Sequence, residues 1–334
     1  ERPASRLFRS HGEAHGLITT ESDNYLEWFH RFEPSENLAL RIQAEQWDDR
    51  DFYKDFYYDL FRHRTGPRTF ANLTYRRDSY LATATVRPAT HGWMTETERL
   101  PETTFHLLER PLAKKLYFSF DTVNGYNNSE PSGGEGARTV NIARLSYDWE
   151  PGDAFNITPY VELEAAWYSR ERNAADANGR LSPLAGVTAQ TRFHRTFNGR
   201  WGFSAFKHIV VPSFTYSYRP DSSQSIAETP QFDSLDQVFG RSRFESKIDN
   251  VFYGRDALTG EVWQVGRLTL YQGNDLASEM QKTDDYEIEI DLRPRPWWGF
   301  QFVGERHITG DEDQIRPLER YIAEGYERFF GAPI

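Results

Sequence analysis

Cysteine is absent from these 334 residues, which excludes disulfides and thiolate metal sites alike. The absence fits the periplasm as well as the cytosol and chooses neither. Missing too is any stretch of about 18 apolar residues, and mean hydropathy is −0.73, so a helical membrane protein is excluded. A β-barrel is not, because only every second residue of a spanning strand meets lipid. Positive charge is in deficit, with 39 Lys and Arg against 50 Asp and Glu and a net charge of −11. With no long Lys/Arg cluster either, a nucleic-acid partner is excluded. No segment keeps a helical period over several turns. The opening ERPASRLFRS has no apolar signal core, so an exported protein would be represented here by its mature or excised chain.

What the chain has instead is alternation. In Asn37 to Gln46, Leu38, Leu40, Ile42 and Ala44 fall on one face, and Ala39, Arg41, Gln43 and Glu45 on the other. Trp47 then marks an edge of the apolar band. Arginine, glutamine and glutamate suit a watery interior, so lipid on one side and water on the other is the economical reading. The unit repeats at Ser79 to Arg87, Lys115 to Asp121, Ile157 to Trp167, Tyr286 to Leu292 and Trp298 to Val303. The expected fold is therefore all-β, an antiparallel transmembrane barrel or a large part of one. About 14 to 16 strands fit this length. Residues 1–36 read as a lead-in and first strand region, and 37–334 as barrel strands with long polar loops, in one domain.

Aromatics make up 15% of the chain, and Trp47, Trp93, Trp149, Trp167, Trp201, Trp297 and Trp298 sit at the ends of alternating runs, where interfacial girdles form. The polar stretches Asp121 to Gly136 and Glu171 to Pro183 read as solvated loops. Tyr218 to Gln231 is also expected to be loop, since the prolines from Pro212 to Pro230 lack the amide a ladder needs.

Signals for chemistry are weak. The glycines of 121–136 lack the Lys-Ser/Thr of a phosphate loop. His11 and His15 are four apart, but Gly12 and Gly16 argue against the helix that would make them a metal site. The acids Asp48, Asp49, Asp51, Asp55 and Asp59 lack calcium-loop spacing. Glu162 and Glu164 stand roughly 6.5 to 7 Å apart by strand rise, the separation of an inverting glycosidase. They point the same way from one strand, however, and a polar barrel interior explains them more simply. No enzyme activity, metal or cofactor is expected. The interior-facing candidates are Arg41, Gln43, Glu45, Arg87, Glu162, Glu164, Arg267, Glu287 and Glu289.

Three blocks resemble the LptD family, the lipopolysaccharide-assembly outer-membrane proteins also called organic solvent tolerance proteins. The first is the strand and acidic-aromatic run with Asp48, Asp49, Phe52, Tyr53, Asp55 and Phe56; the second is TERLPETTFHLLERPL from Thr97. The third is His208 to Gly254, with Pro212, Pro220, Pro230, Phe232, Asp233, Ser234, Arg243 and Phe244 in the family's places. The resemblance implies a Gram-negative outer-membrane barrel that takes lipopolysaccharide from periplasmic bridge proteins and releases it through a seam between strands, with a plug lipoprotein inside. The family's barrel runs to roughly two dozen strands, so it also implies a piece of such a barrel or a compact relative. A terminal closing aromatic and a preceding periplasmic domain are not visible. The rival readings are a porin or uptake channel, and a soluble carbohydrate-acting β-protein with a cleft of Trp297, Trp298, Tyr160 and the Glu162/Glu164 pair.

Overall fold

The structure, a computed structural model, describes residues 9–18, 24–47, 69–90, 97–129, 134–152, 154–172, 176–278, 282–309 and 322–324. Its strands are β1 (Arg9–Ile18), β2 (Asn24–Ser35), β3 (Leu38–Trp47), β4 (Phe70–Arg77), β5 (Tyr80–Arg87), β6 (Glu98–Ala113), β7 (Leu116–Asn128), β8 (Glu135–Tyr147) and β9 (Phe155–Tyr168). There follow β10 (Asn178–Thr191), β11 (Phe193–Asn198), β12 (Phe203–Arg219), β13 (Arg241–Asp256), β14 (Val262–Ser278), β15 (Thr283–Arg295), β16 (Trp298–Thr309) and β17 (Ile322–Glu324). Among the described residues the only helical element is a 3-10 turn, Ser234–Asp236. The fold is all-β and antiparallel, with strands paired to their neighbours in chain order. β10 and β11 both pair with β12, so Arg192 interrupts what is in effect one strand, and counting the two as one leaves sixteen.

Alternation accounts for which face is which. On β9, Leu163 and Trp167 are 46% and 47% exposed, whereas Glu164, Ala166 and Tyr168 between and beyond them are buried. Phe214, Tyr216 and Tyr218 of β12, and Phe244, Ile248 and Phe252 of β13, show the same alternation, apolar and exposed, on their own strands. Their neighbours in sequence carry serines, threonines and charges on the other side.

The chain divides into two compact units. One comprises Glu1–Leu145, Glu162–Ser182 and Ser222–Val238; the other comprises Ser146–Val161, Pro183–Asp221 and Phe239–Ile334. In both, strands turn tightly at one end, as at residues 36–37, 78–79, 114–115 and 296–297, while the longer connections leave from the opposite strand ends.

Several expectations are corrected. The polar stretch from Asp121 is strand as far as Asn128, and Glu171 to Pro183 is strand from Asn178 onward. Beyond the apolar band both faces of a strand become polar, so the pattern fades while the ladder continues. Pro212 does not interrupt β12: it pairs with Ile248 of β13. On its other side β12 changes partner there, from Phe193 opposite Val210 to Gln190 opposite Ser213, so the proline falls at an interruption of that ladder. The break comes at Pro220: Tyr218 and Arg219, expected in the loop, are still paired in β12, and residues 220–231 are loop as expected. Trp47 is no girdle residue, since it shares the odd-numbered face with Glu45 and is buried 6.4 Å from the Tyr25 ring. Trp93 lies outside the described residues.

Candidate functional site: a segment folded onto the polar face

The connection between β12 and β13 covers residues 220–240. Its part Ser222–Val238 packs with the first unit. Pro220 and Pro230 keep it from joining a ladder, and residues 233–236 close the 3-10 turn through a capping box in which Asp233 accepts from the Leu235 amide and Asp236 accepts from the Asp233 amide. Phe232 enters a small buried cluster with Val140, Ala166 and Tyr168.

Asp236 is wholly buried and fully partnered. Its carboxylate accepts from Arg138 Nη1 at 2.9 and 3.0 Å, from the Tyr168 hydroxyl at 2.8 Å, and from the amides of Phe232 at 2.7 Å and Asp233 at 3.0 Å. Arg138, itself 1% exposed, also donates to both oxygens of Asp233 at 2.8 and 2.9 Å. From β10, Arg180 donates to the backbone oxygens of Leu235 and Asp236, both at 3.0 Å, and to Glu164 Oε1 at 2.5 Å. Bidentate guanidinium–carboxylate pairs of this kind are strong and directional. Burial works against the Asp233 charge, yet the Arg138 hydrogen bonds outweigh it and hold the carboxyl below its ordinary range.

The start of β6 meets the same turn. Thr97 Oγ1 donates to the Phe232 oxygen at 2.9 Å, and Arg99 bonds Glu102 at 2.9 Å while standing 3.6 Å from Asp233. Two of the sequence blocks singled out above, 97–112 and 208–254, are thus parts of one site. The acidic-aromatic run of the first block, with Asp48, Asp49 and Asp55, lies outside the described residues.

The second unit has its own ionic rows. Arg243 donates to Asp275, Tyr271 and Glu245, each at 3.1 Å, and to Asp285. Phe244 points the other way and stacks on Phe214 with ring centres 6.2 Å apart. Further along, Arg267 and Thr269 both donate to Asp249, at 2.9 and 2.7 Å. Glu287 and Glu289 stand opposite Tyr271 and Thr269.

The remaining interior candidates distribute as follows. Gln43 donates to Glu45 at 2.9 Å and Glu27 at 3.3 Å, Arg41 is exposed opposite Arg31, and Arg87 is opposite Arg99. Glu162 lies 4.0 Å from Arg144, while Glu164 is committed to Arg180. The two acids are therefore not a free pair facing a substrate. His11 and His15 flank Glu13 on a strand, and no group of metal-ligating side chains forms among the described residues. Sequence reading missed Arg138, Arg180, Tyr168 and Asp236. The one available signal was Asp233 followed by Asp236 after a proline-rich run, the spacing of a capped turn.

The family model for LPS transport system D, LptD, matches residues 22–261, a span that contains every residue of the folded-down segment and its anchors. The LPS-assembly protein LptD of Neisseria gonorrhoeae is 22% identical over 250 residues, covering 70% of this chain and 30% of that protein. That of Neisseria meningitidis serogroup A is 22% identical over 243 residues, covering 70% and 29%. The chain spans about 30% of the length of these curated relatives.

Proposed function

The chain belongs to the LptD family, and from that premise we propose that it forms part of an outer-membrane barrel wall that conducts lipopolysaccharide to the outer leaflet of a Gram-negative cell. The observation that carries this reading is the pairing of an exposed apolar face with a polar face onto which a long connection is folded and locked. Lipid against Leu163, Trp167, Phe214 and Ile248 leaves the opposite face, with Arg41, Gln43, Glu45, Arg87, Glu162, Glu164, Arg267, Glu287 and Glu289, to line an aqueous lumen. Charged and hydroxyl side chains there solvate a phosphorylated sugar headgroup while its acyl chains leave sideways. The work is conduction without a covalent step. A plug lipoprotein in the lumen and periplasmic bridge proteins at the short-turn side complete the assembly in this reading.

Depletion of the protein tests it. Lipopolysaccharide should fail to reach the cell surface, and cells should become permeable to large apolar antibiotics, because the outer leaflet loses its packed glycolipid. A normal outer leaflet with impaired uptake of small solutes would reject the reading in favour of a porin.

A further inference from the structure

Charge on the polar face of the first unit is uneven. Near the turn at residues 36–37, Arg31 of β2 and Arg41 of β3 stand directly opposite each other across the ladder, an arrangement in which like charges repel. His11 of β1 faces Arg31 from the other side. Arg76 of β4 adjoins the turn, its amide donating to the Asn37 oxygen at 2.8 Å. Together with Arg9 these arginines line a cavity of about 740 Å³, whose lining holds only Glu33 and Glu36 as acids. Glu33 is occupied by Arg31, whose Nε donates to it at 2.8 Å. Arg41 and Arg76 are exposed and have no carboxylate partner among the described residues. The lining thus carries more positive than negative charge on a chain of net charge −11, which favours an anion there.

Neighbouring strands lie about 4.8 Å apart, so the guanidinium forks of Arg31 and Arg41, directly opposite across the ladder, can grip different oxygens of one phosphate. Arg76, four positions along β4 from Asn72, the residue opposite Arg41, supplies a further cation toward the turn. Thr74 adds a hydroxyl to the lining, and Ala39 and Leu81 add apolar surface, which suits an ester on a larger amphiphile better than a free ion. The cavity is at the short-turn end of its strands, the periplasmic end in outer-membrane barrels.

We propose that this cavity binds the phosphate ester of an anionic glycolipid headgroup through Arg31, Arg41 and Arg76, as the first phosphate-binding station on the polar face. The proposal rests on the transport reading for the lipid nature of the ligand. Its test uses the detergent-purified protein with three probes: a bisphosphorylated diglucosamine lipid, the same lipid without phosphates, and inorganic phosphate. The double variant Arg41→Gln/Arg76→Gln should bind the phosphorylated lipid at least about tenfold more weakly, since charge-assisted hydrogen bonds are lost, and the dephosphorylated lipid unchanged. Arg41→Lys/Arg76→Lys should recover part of the loss, and wild-type affinity for the phosphorylated lipid should fall with added salt. Unchanged affinity in the Gln variant, or equal weakening toward both lipids, overturns the site while leaving transport standing. Inorganic phosphate binding as tightly as the lipid overturns the headgroup assignment. If the wild type binds neither lipid, the site and the transport reading fall together.

Discussion

Arg138 is the side chain on which the folded-down segment depends most, because it neutralises both Asp233 and Asp236 from a position inaccessible to water. Arg138→Leu leaves buried Asp236 without its cation and Asp233 with Arg99 alone, 3.6 Å away, and should cost about 3–5 kcal/mol, the usual result of removing one partner from a buried ion pair. The loss would be read as a lower unfolding midpoint in detergent and as new cleavage between residues 221 and 231 in limited proteolysis. Wild-type stability with no new cleavage would show that the segment is held by something else. The pH dependence follows from Asp233. Its folded pKa is depressed by Arg138, so its contribution is fully present above the unfolded value of about 3.9 and is lost as pH falls through the folded value. Docking of 222–238 should accordingly be flat between about pH 5 and pH 8 and loosen only in stronger acid; cleavage that rises already at pH 6 would contradict this assignment. None of these contacts was legible in the sequence. Arg138 and Asp236 are 98 positions apart, and an arginine on an alternating strand reads only as polar until a partner is placed opposite it.

At the scale of the strand, the two faces should respond differently to the same substitution. Leu163→Arg places a cation on an exposed apolar face and should cost about 2–4 kcal/mol if that face meets lipid near the bilayer midplane. Gln43→Arg should cost little, because Gln43 already lies between the carboxylates of Glu27 and Glu45. Equal costs, measured as unfolding midpoints in the same lipid or detergent, would mean that both faces meet water. Strands of this kind were legible because a period of two needs only neighbours in sequence: β3, β5 and β9 start and end within two residues of where alternation puts them. Strand ends past the apolar band were not. β7 runs on through Asn124, Asn127 and Asn128, where polar residues on both faces resemble a loop although the backbone is still paired. Pro212 misled for a related reason, since whether a missing amide matters depends on which neighbour the strand has at that point.

For the molecule as a whole, the exposed apolar rows and the occupied polar ones have to be explained together. An all-β chain that leaves Leu163, Phe214, Tyr218, Phe244 and Ile248 open to its surroundings needs lipid or a partner surface there. The protein should therefore partition into detergent and migrate differently before and after heating; a monodisperse, detergent-free preparation would exclude the membrane reading. The carbohydrate-enzyme alternative is separable by one residue. A glycosidase needs two carboxylates, one as acid and one as base or nucleophile, and loses most of its rate without either. Glu164 is tied to buried Arg180 and supports the folded-down segment, so replacing it confounds stability with function. Glu162, on the same face of β9 as Glu164 and 4.0 Å from Arg144 of β8, is the informative position. Glu162→Gln should leave surface lipopolysaccharide and antibiotic resistance close to wild type, because a hydrated wall tolerates the loss of one charge. A sugar-cleaving activity present in the wild type and abolished by this change would reject the conduit and establish an enzyme.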